Sequence, residues 1–173
     1  LGIGGVHMLR ALGLDPLAYH MNEGHSAFLS LERIRHAMWT HDATFEEAAE
    51  AVIASNVFTT HTPVPAGNDA FGHHLILKYL GDYLKHFKIS EEAFLNLGRE
   101  EKPDSTDPFN MTIFAIRMSR FRNGVSKLHA HVSRGMWRDV FPSVAVEEVP
   151  IAGLVNGVHT STWISHDMAG LYD

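Results

Sequence analysis

Three short apolar runs, separated by helix-patterned stretches and each running into a polar cluster, constrain this chain more than any other feature. The first is PLAYHMN (16–22), bounded by Pro16 and Gly24. The second covers 57–60, where β-forming residues stop at Pro63, Pro65 and Gly67. The third lies in VEEVPIAGLVNGVHTSTW (146–163). Short apolar runs with turn residues at their ends read as buried strands. Strands joined by helical crossovers run parallel, and a parallel sheet is expected to be covered on both faces. The fold class is therefore α/β, a short parallel sheet with many helices.

The crossovers carry helix signals. GIGGVHMLRALGLDP places Val6, Leu9, Leu12 and Leu14 near helical spacing, with Gly13 and Pro16 as stops. HSAFLSLERIRHAMW puts Phe28, Leu31, Ile34 and Met38 on one face, with Ser26 as the expected N-cap. In TFEEAAEAVIASN, Thr44 and Glu47 form a capping-box pattern. Residues 70–97 read as two helices, and GREEKPDSTDP (98–108) as a polar surface loop. FNMTIFAIRMSRFRNGVSKLHAHVSRGMW (109–137) reads as two helices broken at Asn123-Gly124, the second capped near Ser126. A last helix starts near Ser161. The chain opens on Leu1 and closes on HDMAGLYD, which reads as an amphipathic helix cut mid-course, so an interior piece of a longer protein is expected.

Composition narrows the function. Lys and Arg number 14 against 20 Asp and Glu, a formal net charge of −6, which argues against a nucleic-acid surface. No apolar run approaches the roughly 18 residues of a membrane span. With no cysteine among 173 residues, disulfides and thiolate metal sites are excluded, and a cytoplasmic setting is expected.

In an open parallel sheet, ligands bind beyond the carboxyl ends of the strands. The three runs end in Asn22, Glu23 and His25; in Thr60, His61 and Thr62; and in Asn156, His159 and Thr160. At the first corner Gly24 is expected to let the backbone turn sharply. Each cluster has a plain alternative: a histidine hydrogen-bonded for structure, a glutamate favoured by a helix dipole, an Asn-Gly turn. Three at equivalent positions favour a ligand rim. Its Asn, Glu, His and Thr, with few cations, suit a neutral polyhydroxyl ligand better than a polyphosphate. GIGG follows no strand and is a weak nucleotide signal. Among the 13 histidines, His20 and His25 flank Glu23, and His73 and His74 are adjacent, but neither pair has metal-ligand spacing, so no metal is expected. His129 and His131 are read as part of a partly exposed helix.

LGIGGVHMLRALG, YHMNEGHSAFLSLERIR, VFTTHTPVPAGND, the 109–137 block and NGVHTSTW resemble, in that order, the α-glucan (glycogen, starch or maltodextrin) phosphorylases, chiefly the short bacterial and archaeal form. The resemblance implies a two-domain GT-B glycosyltransferase built from Rossmann-like halves. This chain would be a single incomplete domain, residues 1–173, the second half of the N-terminal one. It implies phosphorolysis of terminal α-1,4-glucosyl units to glucose 1-phosphate with retention, assisted by pyridoxal phosphate on a Lys of the C-terminal domain. Neither the cofactor Lys nor a catalytic residue is expected here, and the fragment alone should be inactive.

The resemblance also assigns substrate-binding positions: Asn22, Glu23, His25, His61, Thr62, Arg120, Asn123, Gly124, Asn156, Gly157 and His159. At Glu23 many animal and plant members carry Asp, and at Arg120 animal-type members carry a sugar-contacting His. Expected partners are an α-glucan and inorganic phosphate, with no nucleic acid or membrane; homo-oligomerisation of the parent is left open. Alternatives are a sugar-nucleotide-dependent transferase of the same architecture, a non-catalytic sugar-binding module and, last, a metal-dependent hydrolase.

Overall fold

The computed structural model describes residues 1–100 and 107–172. Helix α1 (Gly2–Ala11) leads to strand β1 (Tyr19–Asn22), a 3-10 turn (Gly24–Ser26) and helices α2 (Leu29–His41) and α3 (Phe45–Ala54). Strand β2 (Asn56–Thr60) precedes β3 (Ala70–Phe71), α4 (His73–Leu84) and α5 (Glu91–Asn96). Then come β4 (Phe109–Asn110), α6 (Met111–Arg117), β5 (Phe121–Gly124) and α7 (Lys127–Met136). Strand β6 (Ala152–Gly153) and helices α8 (Thr160–Trp163) and α9 (His166–Tyr172) close the described chain. The main sheet is parallel, ordered β1-β2-β5-β6, and β3 pairs with β4 antiparallel. The α/β reading holds.

Two corrections concern the sheet. The break expected at Asn123-Gly124 between two helices is itself a strand, β5, inserted beside β2. Its sequence, FRNG, has a single apolar residue and ends in a turn signature, so nothing local marks it as a strand. Ladder bonds to β2 hold it in place, helped by Arg122, whose Nε donates to the Ile116 carbonyl at 2.6 Å. Conversely, the third expected strand shrinks to two residues at the sheet edge.

The second correction follows from strand order. Spatial order equals chain order, so successive right-handed crossovers return on one face of the sheet. Met21 and Phe58 on that face are buried. On the other, Phe121 is 61% exposed, with Leu154 beside it at 59%. Among the described residues, cover on both faces is not seen.

Local signals explain several helix boundaries. The Thr44 box forms: the Glu47 N–H donates to Thr44 Oγ1 at 3.2 Å, and the Thr44 N–H to Glu47 Oε2 at 2.9 Å. Ser126 caps α7 by accepting from the His129 N–H at 3.0 Å, and Asn110 caps α6. Ser26 does not cap: it lies inside the 3-10 turn, and α2 starts at Leu29 without a side-chain cap. Gly13, at φ +70, ends α1 as expected.

The core holds Phe28, Phe94, Phe109 and Phe114, with Phe94 stacked on Phe109 at 5.3 Å. Gly98 lets α5 end against that ring, because a Cβ there would lie 2.5 Å from Phe109. Helix α1 is attached differently. Val6 of its expected apolar face is buried in the core, but Leu12 and Leu14 are exposed. Instead, the fully buried Glu32 of α2 accepts from Arg10 Nη1 at 2.9 Å, from Arg35 Nε and Nη2 at 2.8 Å each, and from the Tyr83 hydroxyl. His7 Nε2 lies 2.9 Å from the same carboxylate. Burial pushes Glu32 up, but Arg35, Tyr83 and His7 outweigh it and hold the carboxyl at about 2.

The polar loop at 98–108 is only partly as expected. Residues 101–106 lie outside the described residues, while Arg99 is buried and reaches Glu92 at 2.6 Å and His73.

Candidate functional site

All four parallel strands point their carboxyl ends to one edge. Asn22 and Glu23 leave β1 there, Thr60 and His61 leave β2, and Gly124 ends β5. Asn156, Gly157 and His159 follow β6 in an exposed tail, with His159 Nδ1 at 2.6 Å from Thr162 Oγ1 at the start of α8.

The corner after β1 differs from its expected form. The residue at positive φ is Glu23 itself (φ 68, ψ 168), not Gly24. That region is nearly reserved for glycine and costs on the order of 1–3 kcal/mol for another residue. What compensates is the carboxylate: Glu23 Oε1 accepts the His61 N–H and the Thr62 hydroxyl, the latter at 3.0 Å. Glu23 thus clips the exit of β1 to the exit of β2. Gly24 serves another purpose: a Cβ there would meet Met111 and Thr112 backbone at 3.1 Å, so its absence admits the start of α6.

Asn123 sits one residue before the end of β5, 8% exposed, in register with Thr59 on one side and Ala152 on the other. Thr59 donates its hydroxyl to Asn123 Oδ1 at 2.9 Å, and His20 Nε2 lies 2.7 Å from Thr59 Oγ1. Gly124 is required by contact, since a Cβ would come within 2.7 Å of His129 Nδ1 and 3.0 Å of the Ala130 nitrogen. His129, expected on a partly exposed helix, is buried, and its Nδ1 accepts the Val125 N–H at 3.3 Å, bracing the turn after β5.

One expected site residue does not join the rim through its backbone. Arg120 precedes β5, and its N–H donates to the carbonyls of Ile53 at 3.0 Å and Asn56 at 3.2 Å, at the amino end of the sheet. Four residues of strand, roughly 13 Å, separate it from the tip of β5. Its side chain borders a hollow of about 480 Å³ on the open sheet face, with Val57, Phe121, Asn123, Ile151 and Leu154. Burial, then the charge of Arg120, lowers the neighbouring Arg122.

Sequence reasoning passed over Thr59, and weighed His20 only as a metal ligand. The signal was present: residues 20 and 22 of one strand and 59 of the next project to the same side by simple alternation. What was missing was β5 as their neighbour.

The rim offers amides, hydroxyls, imidazoles and one carboxylate, a set suited to hydrogen-bonding sugar hydroxyls. Among the described residues no three His, Asp or Glu side chains converge on a metal position, and His73 is engaged by Arg99 and by the Asp107 carbonyl at 2.7 Å. The described lysines, Lys78, Lys85, Lys88 and Lys127, are all exposed. None is the desolvated amine that would hold an aldehyde cofactor.

Over its whole length the chain is 45% identical to the maltodextrin phosphorylase of Thermococcus litoralis, of which it spans 20%. It is 39% identical over 94% of its length to the glycogen phosphorylase of Mycobacterium tuberculosis, again covering 20% of that protein. It is 34% identical along its whole length to the glycogen phosphorylase of Aquifex aeolicus, covering 24%. The chain therefore spans about a fifth to a quarter of the length of these curated relatives. No protein-family model matches it.

Proposed function

From the premise that this sequence matches a segment of maltodextrin and glycogen phosphorylases from end to end, we propose that the protein it is part of is an α-glucan phosphorylase. Residues 1–173 are the second half of its N-terminal domain, and the carboxyl rim of the sheet is the glucan-facing wall of its cleft. In the reaction, the bond between C1 of the terminal α-1,4-linked glucose and the next sugar's oxygen breaks. A phosphate oxygen takes its place at C1 with retention, giving glucose 1-phosphate and a chain one unit shorter.

The role of this segment is binding and orientation. Asn22, His25, His61, Thr62, Asn123, Asn156 and His159 offer hydrogen bonds to sugar hydroxyls, while Gly124 and Gly157 let the backbone approach. Fixed dipoles held this way stabilise charge developing at the sugar ring without reorganising during the reaction. Glu23 holds the β1 and β2 exits together, which sets the spacing of the two loops. Arg120 reaches the ligand only along the open face. Pyridoxal phosphate, when bound in the parent, supplies through its phosphate a proton donor and acceptor for the substrate phosphate. The described lysines of this segment do not fit that group, and no step here runs through it. A cytoplasmic location is part of the same reading; no described helix is long and apolar enough to cross a membrane.

The observation that carries the proposal is the end-to-end match. The test is direct: the full-length protein, given maltodextrin and inorganic phosphate, should release glucose 1-phosphate. No release would overturn it, and sugar transfer from a sugar nucleotide would replace it with the transferase alternative.

A further inference from the structure

The row His20–Thr59–Asn123 crosses β1, β2 and β5 on the face that the crossover helices leave open. Asn22 pairs with Thr59 and Thr59 with Asn123, and His20 projects to the same side as Asn22. The row has a direction that proton counting settles. A threonine hydroxyl has one proton, and here it is donated to Asn123 Oδ1 at 2.9 Å. At 2.7 Å from the same oxygen, His20 Nε2 must therefore be the donor in that contact, which places a proton on Nε2. The chain runs His20 Nε2–H to Thr59 Oγ1, then Thr59 O–H to Asn123 Oδ1. Thr59 and Asn123 are 7% and 8% exposed, so solvent competes little for these bonds.

The two ends of an asparagine amide have nearly the same shape and differ in chemistry: one accepts, the other donates. Thr59 donates to Asn123 Oδ1, so the Asn123 oxygen faces β2 and its NH2 faces away. That NH2 makes one long contact, 3.5 Å to the Gly124 carbonyl, at the rim. We propose that Thr59, with His20 behind it, is a positioning residue that locks the Asn123 amide so that an N–H is presented to a glucan hydroxyl oxygen. The proposal rests on the reading of Asn123 as a glucan-facing residue. Without the Thr59 hydroxyl, the amide is free to turn over and present its oxygen, and the donor at that subsite is lost part of the time.

The test uses the full-length protein with maltodextrin and phosphate. Thr59→Val keeps the β-branched shape and removes the hydroxyl; it should lower kcat/KM for glucan about tenfold, the scale of one neutral hydrogen bond, with KM for phosphate unchanged. Thr59→Ser restores the hydroxyl and should recover to within about threefold of the parent. His20→Leu should show a smaller loss than Thr59→Val, and His20→Gln, which keeps a donor, should reverse it; His20 is exposed, so both variants should fold. Thr59→Val in an Asn123→Ala background should cost nothing further. Three results would overturn the proposal: Thr59→Val without effect, Thr59→Ser as impaired as Thr59→Val, or additive losses in the double variant. If Asn123→Ala itself leaves glucan kinetics untouched, the site reading falls and the proposal falls with it. If Asn123→Ala is impaired and Thr59→Val is not, the proposal alone falls.

Discussion

At the scale of single residues, two glutamates nine positions apart do opposite work. Glu23 is strained and sits at the rim, where its oxygen joins the His61 N–H and the Thr62 hydroxyl. Glu23→Ala in the full-length protein should lower the melting temperature, because alanine is equally strained at this positive φ and the clip that compensates the strain is lost. It should lower glucan affinity about tenfold, the scale of losing a hydrogen bond to a charged acceptor. Glu23→Gln, which retains an accepting oxygen, should be milder; titration with maltodextrin checks both.

Glu32, by contrast, is wholly buried among Arg10, Arg35, His7 and Tyr83. Its carboxyl is held at about 2 against an ordinary 4.5, a depressed value. Its stabilising contribution is therefore complete above pH 4.5 and disappears as pH falls toward 2, and amounts to about 3 kcal/mol. Urea melts between pH 7 and pH 3 should show that acid loss, and Glu32→Gln should be less stable at pH 7 with a flatter pH dependence.

At the scale of elements, the close approach of β5 to α7 depends on Gly124 and on the Ser126 cap. Gly124→Ala would force a methyl against the His129 ring and the Ala130 backbone and should cost about 1–3 kcal/mol. Ser126→Ala removes the acceptor for the His129 N–H and should cost about 1 kcal/mol. Thermal melts of both variants check the ordering. Ser126 was legible as a cap because capping is a local bond between near neighbours in sequence, and so was the Thr44 box. Strand β5 was not legible. Of its four residues only Phe121 favours a strand, and the segment becomes one through pairing with β2, 64 positions away in the chain. Gly24 was read for the wrong reason: a glycine in a turn suggests positive φ, while here the close neighbour is α6, which no local pattern places against it.

At the scale of the whole molecule, the strand order leaves one face of the sheet bare among the described residues, with Phe121 and Leu154 on it. Expressed alone, residues 1–173 should bind an apolar dye such as ANS and self-associate, as exposed apolar patches do. Replacing both residues with serine should reduce the dye signal, and light scattering would follow the association. Sequence alone determined the α/β class, the parallel direction of the strands and the polar residues at their tips, because these depend on composition over short windows and on crossover length. Only the tertiary structure decided that a fourth strand stands between β2 and β6. The same holds for Arg120 entering at the far end of the sheet, Glu23 carrying the turn, and Thr59 with His20 orienting Asn123. Each of those depends on which distant segments become neighbours, and strand register, unlike periodicity, is set by the packing of the whole chain.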